Sequence, residues 1–169
     1  MAATSGLILP LFPKAAFSEF VKKERNLRFY NIHTNENLNA CYWRNGAYLD
    51  NELLSINHFF RDFRTGEIKP IDAKLLDLLY VISRKVGQSA TIHLISGYRS
   101  PKTNEMLRHN GSGVAKKSLH MKGYAADIRI PGIKTTALKT IAVGLAAGGV
   151  GYYPKSDFVH VDIGRVRQW

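Results

Sequence analysis

Three side chains with metal-binding chemistry fall late in this chain of 169 residues: His120, Asp127 and His160. His120 ends the loop Ser118-Leu119-His120, Gly123 lets the backbone turn, and Asp127 lies inside the strand-like run Tyr124 to Ile130. Side chains alternate between the two faces of a strand. Ala125, Asp127 and Arg129 therefore share one face, and Tyr124, Ala126, Ile128 and Ile130 the other. In Phe158-Val159-His160-Val161-Asp162 the same parity joins His160 to Asp162, with Val159, Val161 and Ile163 packed opposite. If the two strands are neighbours, Asp127 and His160 converge and His120 approaches from its loop. Two imidazoles and one carboxylate are an ordinary protein ligand set for a catalytic zinc, with one position left for water. Such an ion lowers the pKa of that water and polarises a carbonyl oxygen. Spacing alone also allows a plainer reading, in which the histidines are hydrogen-bonded strand residues. Asp127 would then pair with Arg129 or a lysine at the surface. Taken singly, His33, His58, His93 and His109 read as structural.

Two further segments bear on the same chemistry. Ser96-Gly97-Tyr98-Arg99-Ser100 puts an arginine at a strand-to-loop junction, where its forked donors could hold a carboxylate or an oxyanion. It could equally be a surface arginine at the end of the next helix. Gly148-Gly149-Val150-Gly151 marks either a close approach of backbone to ligand or a packed turn. It lacks the order of a nucleotide-binding glycine loop. The single cysteine, Cys41, excludes an intramolecular disulfide and a cysteine-based zinc site. Among Leu38, Ala40 and Tyr42 it reads as a small buried hydrophobe.

The elements that must position these residues alternate in type. Asn26–Thr34 and Leu38–Arg44 form a candidate hairpin across Asn35-Glu36-Asn37. Apolar spacing predicts helices over Asn51–Asp62 and, after Pro70, over Ile71–Lys85. Strands follow at Ala90–Ser96, Tyr124–Ile130, Val150–Tyr153 and Phe158–Ile163, with helices at Thr103–His109 and Thr135–Ala146. Asn110–Ser118 reads as a basic loop. Mixed elements with short C-terminal connections indicate α+β, an antiparallel sheet flanked by helices. Residues 1–25 read as an N-terminal arm. Its apolar run Gly6–Phe12 and small Ala15 and Ala16 are like an export signal without its basic beginning. Residues 26–169 form the domain. No stretch has the length of a transmembrane helix. The 24 Lys+Arg against 13 Asp+Glu give a net charge of +11, which favours a polyanionic partner. The basic residues are scattered, and no nucleic-acid motif accompanies them.

Taken together, SGYRS, SLHxxGxAxD and GGVGYYPxSDFVHVDxG, with Arg165 and Trp169 near the end, resemble the zinc murein peptidases of the M15 type, especially their small bacterial branch. The resemblance runs from about Arg28 to Trp169. It implies the D-alanyl-D-alanine peptidase/Hedgehog fold, Zn2+ as cofactor and peptidoglycan as substrate in the periplasm or cell envelope. His120, Asp127 and His160 match the zinc ligands, and Arg99 matches the arginine that steadies the scissile carbonyl. Asp157 stands three positions before the last ligand, where the wider group has its general base. Asp162 is the alternative. Tyr98, Tyr152 and Tyr153 are candidates for lining the groove, or are buried structural tyrosines. Ser118 is a candidate support for His120. The expected activity is an endopeptidase on stem-peptide cross-links, with a D,D- or L,D-carboxypeptidase as the alternative. For the latter, Lys116 or Lys117 would stop a free carboxylate. A non-catalytic wall-binding module is a third possibility, opposed by the complete ligand set. A monomer is expected. Lys102, Arg108, Lys116, Lys117, Lys122 and Arg129 surround the ligands in sequence, which suits an anionic solid such as the sacculus.

Overall fold

A computed structural model describes residues 24–87, 90–111 and 113–169. Eight strands form one sheet: β1 (Glu24–Asn31), β2 (Asn37–Arg44), β3 (Ala47–Tyr48), β4 (Thr91–Ser96), β5 (Ala125–Arg129), β6 (Gly149–Tyr153), β7 (Phe158–Asp162) and β8 (Arg167–Gln168). Their spatial order is β3-β2-β1-β4-β5-β7-β6-β8. The expected α+β class holds, but the sheet is mixed rather than wholly antiparallel. Between β1 and β4 the chain makes the β1–β2 hairpin and two helices, and it returns alongside β1 in the same direction. Likewise β8 runs parallel to β6, because β7 lies on the opposite edge of β6. The arm expected over residues 1–25 lies outside the described residues except for Glu24 and Arg25, which open β1.

Helices α1 (Asp50–Phe59), α2 (Ala73–Val86) and α4 (Thr135–Gly144) cover one face of the sheet. Into that layer point Leu27 and Phe29, Ala40 and Tyr42, Ile92 and Leu94, Ala126 and Ile128, and Val159 and Val161. They meet Ile56, Phe59, Leu75, Leu76, Leu79, Ile82, Leu138 and Ala142. The α2 sequence explains its length. The Asp72 side chain caps it by accepting the Lys74 N–H at 2.8 Å, Leu75, Leu79 and Ile82 recur on one stripe, and Gly87 ends it at φ 137°. Helix α3 (Pro101–His109) begins two residues earlier than its apolar spacing indicates. Ser100 caps it by accepting the Thr103 N–H, and Pro101 sits in the first turn.

Helix α1 stops before Asp62 because that carboxylate is used elsewhere. Asp62, 1% exposed, accepts the backbone N–H of Ser100 at 2.8 Å and of Arg64 at 3.0 Å. It thus ties the end of α1 to the turn carrying Arg99. Burial favours the neutral acid, but bonds from Thr103 and Ser100 outweigh it and hold the carboxyl below its ordinary range. A depressed carboxyl stabilises the fold above its unfolded pKa of about 3.9. That contribution is lost as pH falls through the folded value. Asp62→Asn should therefore lower stability at pH 7 and lose less on acidification, read as urea midpoints at pH 7 and pH 3. Equal losses in both proteins would refute this role.

Candidate metal centre

The face of the sheet opposite α1, α2 and α4 carries the site. Asp127 on β5 pairs directly with His160 on β7, and His160 with Gly151 on β6. Strand parity therefore brings two of the three expected residues together. The third comes from a 3₁₀ turn over Leu119–Lys122, whose first N–H groups are capped by Ser118: its Oγ accepts from the His120 backbone at 3.3 Å. Gly123 closes the turn at φ 72°, and a Cβ there would lie 2.3 Å from the Pro70 carbonyl oxygen, so glycine is required on both counts. A β-bulge between Leu94 and Ser96 turns Ser96 onto the site face opposite Asp127 and lets the chain leave toward Arg99.

Hydrogen bonds define which atoms of the two rings face inward. His120 Nδ1 lies 2.7 Å from the Gly97 carbonyl oxygen, so that nitrogen carries the proton and Nε2 presents a lone pair. His160 Nε2 lies 3.1 Å from Asp162 Oδ2, which leaves Nδ1 as the inward lone pair. These two nitrogens are 3.2 Å apart, and Asp127 Oδ1 sits 3.2 Å from one and 2.8 Å from the other. Three electron-rich atoms thus point at one another in a buried place, an arrangement that a cation between them would satisfy. Tetrahedral coordination at about 2.0–2.1 Å would set ligand atoms roughly 3.3 Å apart, close to the spacing here. The donor set fits a divalent metal. Burial disfavours the charged forms of Asp127 and His160, yet the His120 and His160 rings beside Asp127, and the Asp127 and Asp162 carboxylates beside His160, outweigh it. The Asp127 carboxyl is held below its ordinary range and the His160 imidazole above its own.

Behind His160 stands a second carboxylate. Asp162 is fully buried and accepts five hydrogen bonds, from His160 Nε2, the Gly149 and Gly164 N–H groups and both terminal nitrogens of Arg167. It faces the far nitrogen of His160 rather than the cleft, so the structure places it as the group orienting that ring. The glycine run explains itself here. A Cβ on Gly149 would meet Asp162 and Arg167, and one on Gly151 would meet the Trp169 ring at 2.7 Å. The glycines admit protein side chains, not a ligand phosphate.

A cleft of about 340 Å³ opens over the three residues, lined also by Arg99, Lys117, Ser118, Tyr153, Phe158 and Trp169. Arg99 is buried, with Nη2 at 3.6 Å from Asp127 Oδ2, and its Nε is buried without a partner. Tyr153 stacks on Phe158 with centroids 4.6 Å apart, and the Trp169 indole donates to the Tyr153 hydroxyl at 2.9 Å. The Trp169 ring stands 5.3 Å from that of His160. Tyr98 is instead in the core, and Tyr152 is on the opposite face of β6 beneath Lys139. Of the three tyrosines, only Tyr153 reaches the cleft. Asp157 precedes the cleft-lining Phe158 but is not itself in the lining; it is at φ 51°, 63% exposed and 3.7 Å from Arg129. Cys41 is half-buried on β2, away from the site. In the sequence Phe158 and Trp169 stand out only as part of the family motif, and Arg167 not at all; the glycine-rich strand that makes room for Trp169 and Arg167 is a further signal.

A buried His–Asp–His cluster at the foot of an open cleft, with Arg99 beside it, is an arrangement that could hold a metal ion. A family model described as peptidoglycan L,D-endopeptidase MepK matches residues 19–169. Peptidoglycan L,D-endopeptidase MepK of Escherichia coli K12 is 44% identical over 160 residues, covering 94% of this chain and 88% of that protein. The same figures hold for the Shigella flexneri protein of that name. A probable peptidoglycan L,D-endopeptidase MepK of Haemophilus influenzae is 42% identical over 148 residues, covering 87% and 80%. The chain belongs to this family of M15 metallopeptidases, and its α+β sheet with flanking helices is the fold expected of it.

Proposed function

We propose that this protein is a zinc-dependent murein endopeptidase that opens L,D-peptide bonds of peptidoglycan cross-links in the periplasm. The observation that carries the reading is the convergence of two inward lone pairs and one carboxylate oxygen within 3.2 Å at the foot of an open cleft. The relatives' names supply the substrate and bond. His120 Nε2, Asp127 Oδ1 and His160 Nδ1 would hold the zinc. Zinc in that place supplies Lewis acidity, polarising the scissile carbonyl and acidifying water.

The chain's own groups do the rest. Gly97 and Asp162 hold the two rings in the tautomers that turn lone pairs inward. Arg99, with its free buried Nε–H, donates to the carbonyl oxygen as negative charge develops there. Asp157 takes a proton from the attacking water and returns it to the leaving amine as the C–N bond breaks. Two features support that role: its place three residues before His160, and a left-handed backbone that bends the chain just before the cleft-lining Phe158. Tyr153, Phe158 and Trp169 form an aromatic wall that holds the peptide against the site. Among the described residues no helix is long and apolar enough to cross a membrane, and the charge of +11 suits adhesion to an anionic wall.

Mass spectrometry of muropeptides after digestion of purified sacculi tests this directly. The expected result is loss of L,D-cross-linked dimers, abolished by a chelator and restored by zinc. Release of single terminal residues from monomers would instead assign a carboxypeptidase, with Lys117 in the cleft as the carboxylate stop. Undiminished cutting in chelator would remove the metal mechanism.

A further inference from the structure

The open face of the sheet does not end at the cleft. Cross-strand registers connect Asn37 on β2 to Tyr30 on β1, Tyr30 to His93 on β4, and His93 to Arg129 on β5. These four side chains form one row across four strands. It runs beside the row that carries Asp127, two residues from Arg129 on the same strand face, about 7 Å along β5. Asn37, Tyr30 and His93 line a shared depression with Thr91 and Pro131, and no helix contributes to it. The Tyr30 and His93 rings lie 4.9 Å apart. His93 Nδ1 is buried without a partner, and burial together with the nearby Arg129 charge lowers the imidazole pKa, favouring the neutral ring. Arg129 has one carboxylate near it, Asp157, at 3.7 Å and largely in solvent. A long, screened pair of this kind contributes little and is readily exchanged.

We propose that this row is a second substrate site, which binds the arm of the cross-linked peptide away from the scissile bond, with Arg129 as the partner of a free peptide carboxylate. The inference rests on the peptidase reading above and extends it from the bond cut to the arm recognised. Two features single out a carboxylate-bearing peptide. The row is continuous with the cleft on one sheet face, and its only formal charge is a cation whose present partner is a loosely held carboxylate. Tyr30 and His93, their rings tilted at 55°, offer an aromatic surface for the aliphatic part of such an arm, and the exposed Asn37 amide offers hydrogen bonds to its backbone. A substrate carboxylate that takes over Arg129 also frees Asp157 from it, so occupancy of this site and availability of the proposed base are coupled.

The test is a titration of the full chain, followed by NMR of backbone amides, with a synthetic stem tetrapeptide bearing free carboxylates and with its amidated analogue. The site predicts shifts at Tyr30, Thr91, His93 and Arg129 as well as at the cleft. It also predicts at least fivefold weaker binding on amidation and the same weakening in Arg129→Gln. Arg129→Gln should no longer distinguish the two peptides, and Tyr30→Ala should weaken both. Shifts confined to the cleft, or equal affinity for the two peptides in the unaltered protein, would overturn the proposal. So would peptide-free glycan strands shifting the row as strongly as the peptide does, which would make it a glycan track. Binding needs no turnover. A protein that cuts no sacculus would therefore remove the peptidase reading while the titration still decides this site.

Discussion

Replacing His160 with alanine is expected to abolish hydrolysis of sacculi and to remove bound zinc while leaving the fold intact. Its Nδ1 is one of the three inward atoms proposed to hold the metal. Protein zinc sites bind with about 10–16 kcal/mol in all, so one ligand accounts for several kcal/mol. Affinity should fall by roughly a hundred- to a thousandfold. The fold survives because Asp162, the ring's other partner, keeps four donors from Gly149, Gly164 and Arg167. Metal content after dialysis, measured with circular dichroism and muropeptide release, checks all three statements. A variant with full metal and full activity would mean that the centre lies elsewhere.

Asp162→Ala separates orientation from ligation, because Asp162 touches no proposed substrate position yet supports a proposed ligand. Its removal strands the His160 Nε2–H and the Gly149 N–H in a buried place and takes one partner from the part-buried Gly164 N–H and Arg167 guanidinium. A buried donor left unpaired costs about 1–3 kcal/mol, whereas Arg167, part-exposed and still bonded to the Arg165 carbonyl, adds little. Urea unfolding should therefore register a loss of about 2–6 kcal/mol for the two stranded donors. Zinc affinity should fall about 10–100-fold, because the ring is no longer held in one tautomer. Asp162→Asn keeps the shape and should recover part of the stability, but less of the affinity. If metal titration gives the same affinity in Asp162→Ala as in the unaltered protein, the orienting role is wrong. A general base, by contrast, would lower turnover without changing metal affinity, which is the behaviour expected of Asp157.

Both predictions depend on how two short strands lie together, and here the sequence was most informative. The period-two alternation placed Asp127 with Arg129 and His160 with Asp162 on shared faces, and β5–β7 pairing then made Asp127 and His160 direct neighbours. Helix positions were legible to within a few residues, since apolar stripes and caps such as Asp72 are local. The ends of α1 and α3 shifted because their signals are not apolar. Asp62 is drawn to Ser100, 38 residues away, and α3 begins on a Ser-Pro cap.

What remained hidden depends on contacts distant in sequence. The parallel pairing of β1 with β4 is a choice of which edges meet, and alternation within a strand is blind to it. The same is true of the roles of equivalent-looking side chains. Asp157 precedes β7 and Asp162 ends it, yet one is solvated and the other saturated behind His160. The return of Arg167 along β6, with the Gly149 and Gly164 N–H groups, makes that difference. Tyr98 and Tyr153 likewise differ through the sheet around them: one turns into the core and the other toward Trp169. The residue types and their strand parity thus determined which atoms are available for metal chemistry. The tertiary structure decided which nitrogen of each ring faces inward, because a tautomer is set by the partner on the ring's far side. Those partners, Gly97 and Asp162, come from separate segments that folding brings together around the site.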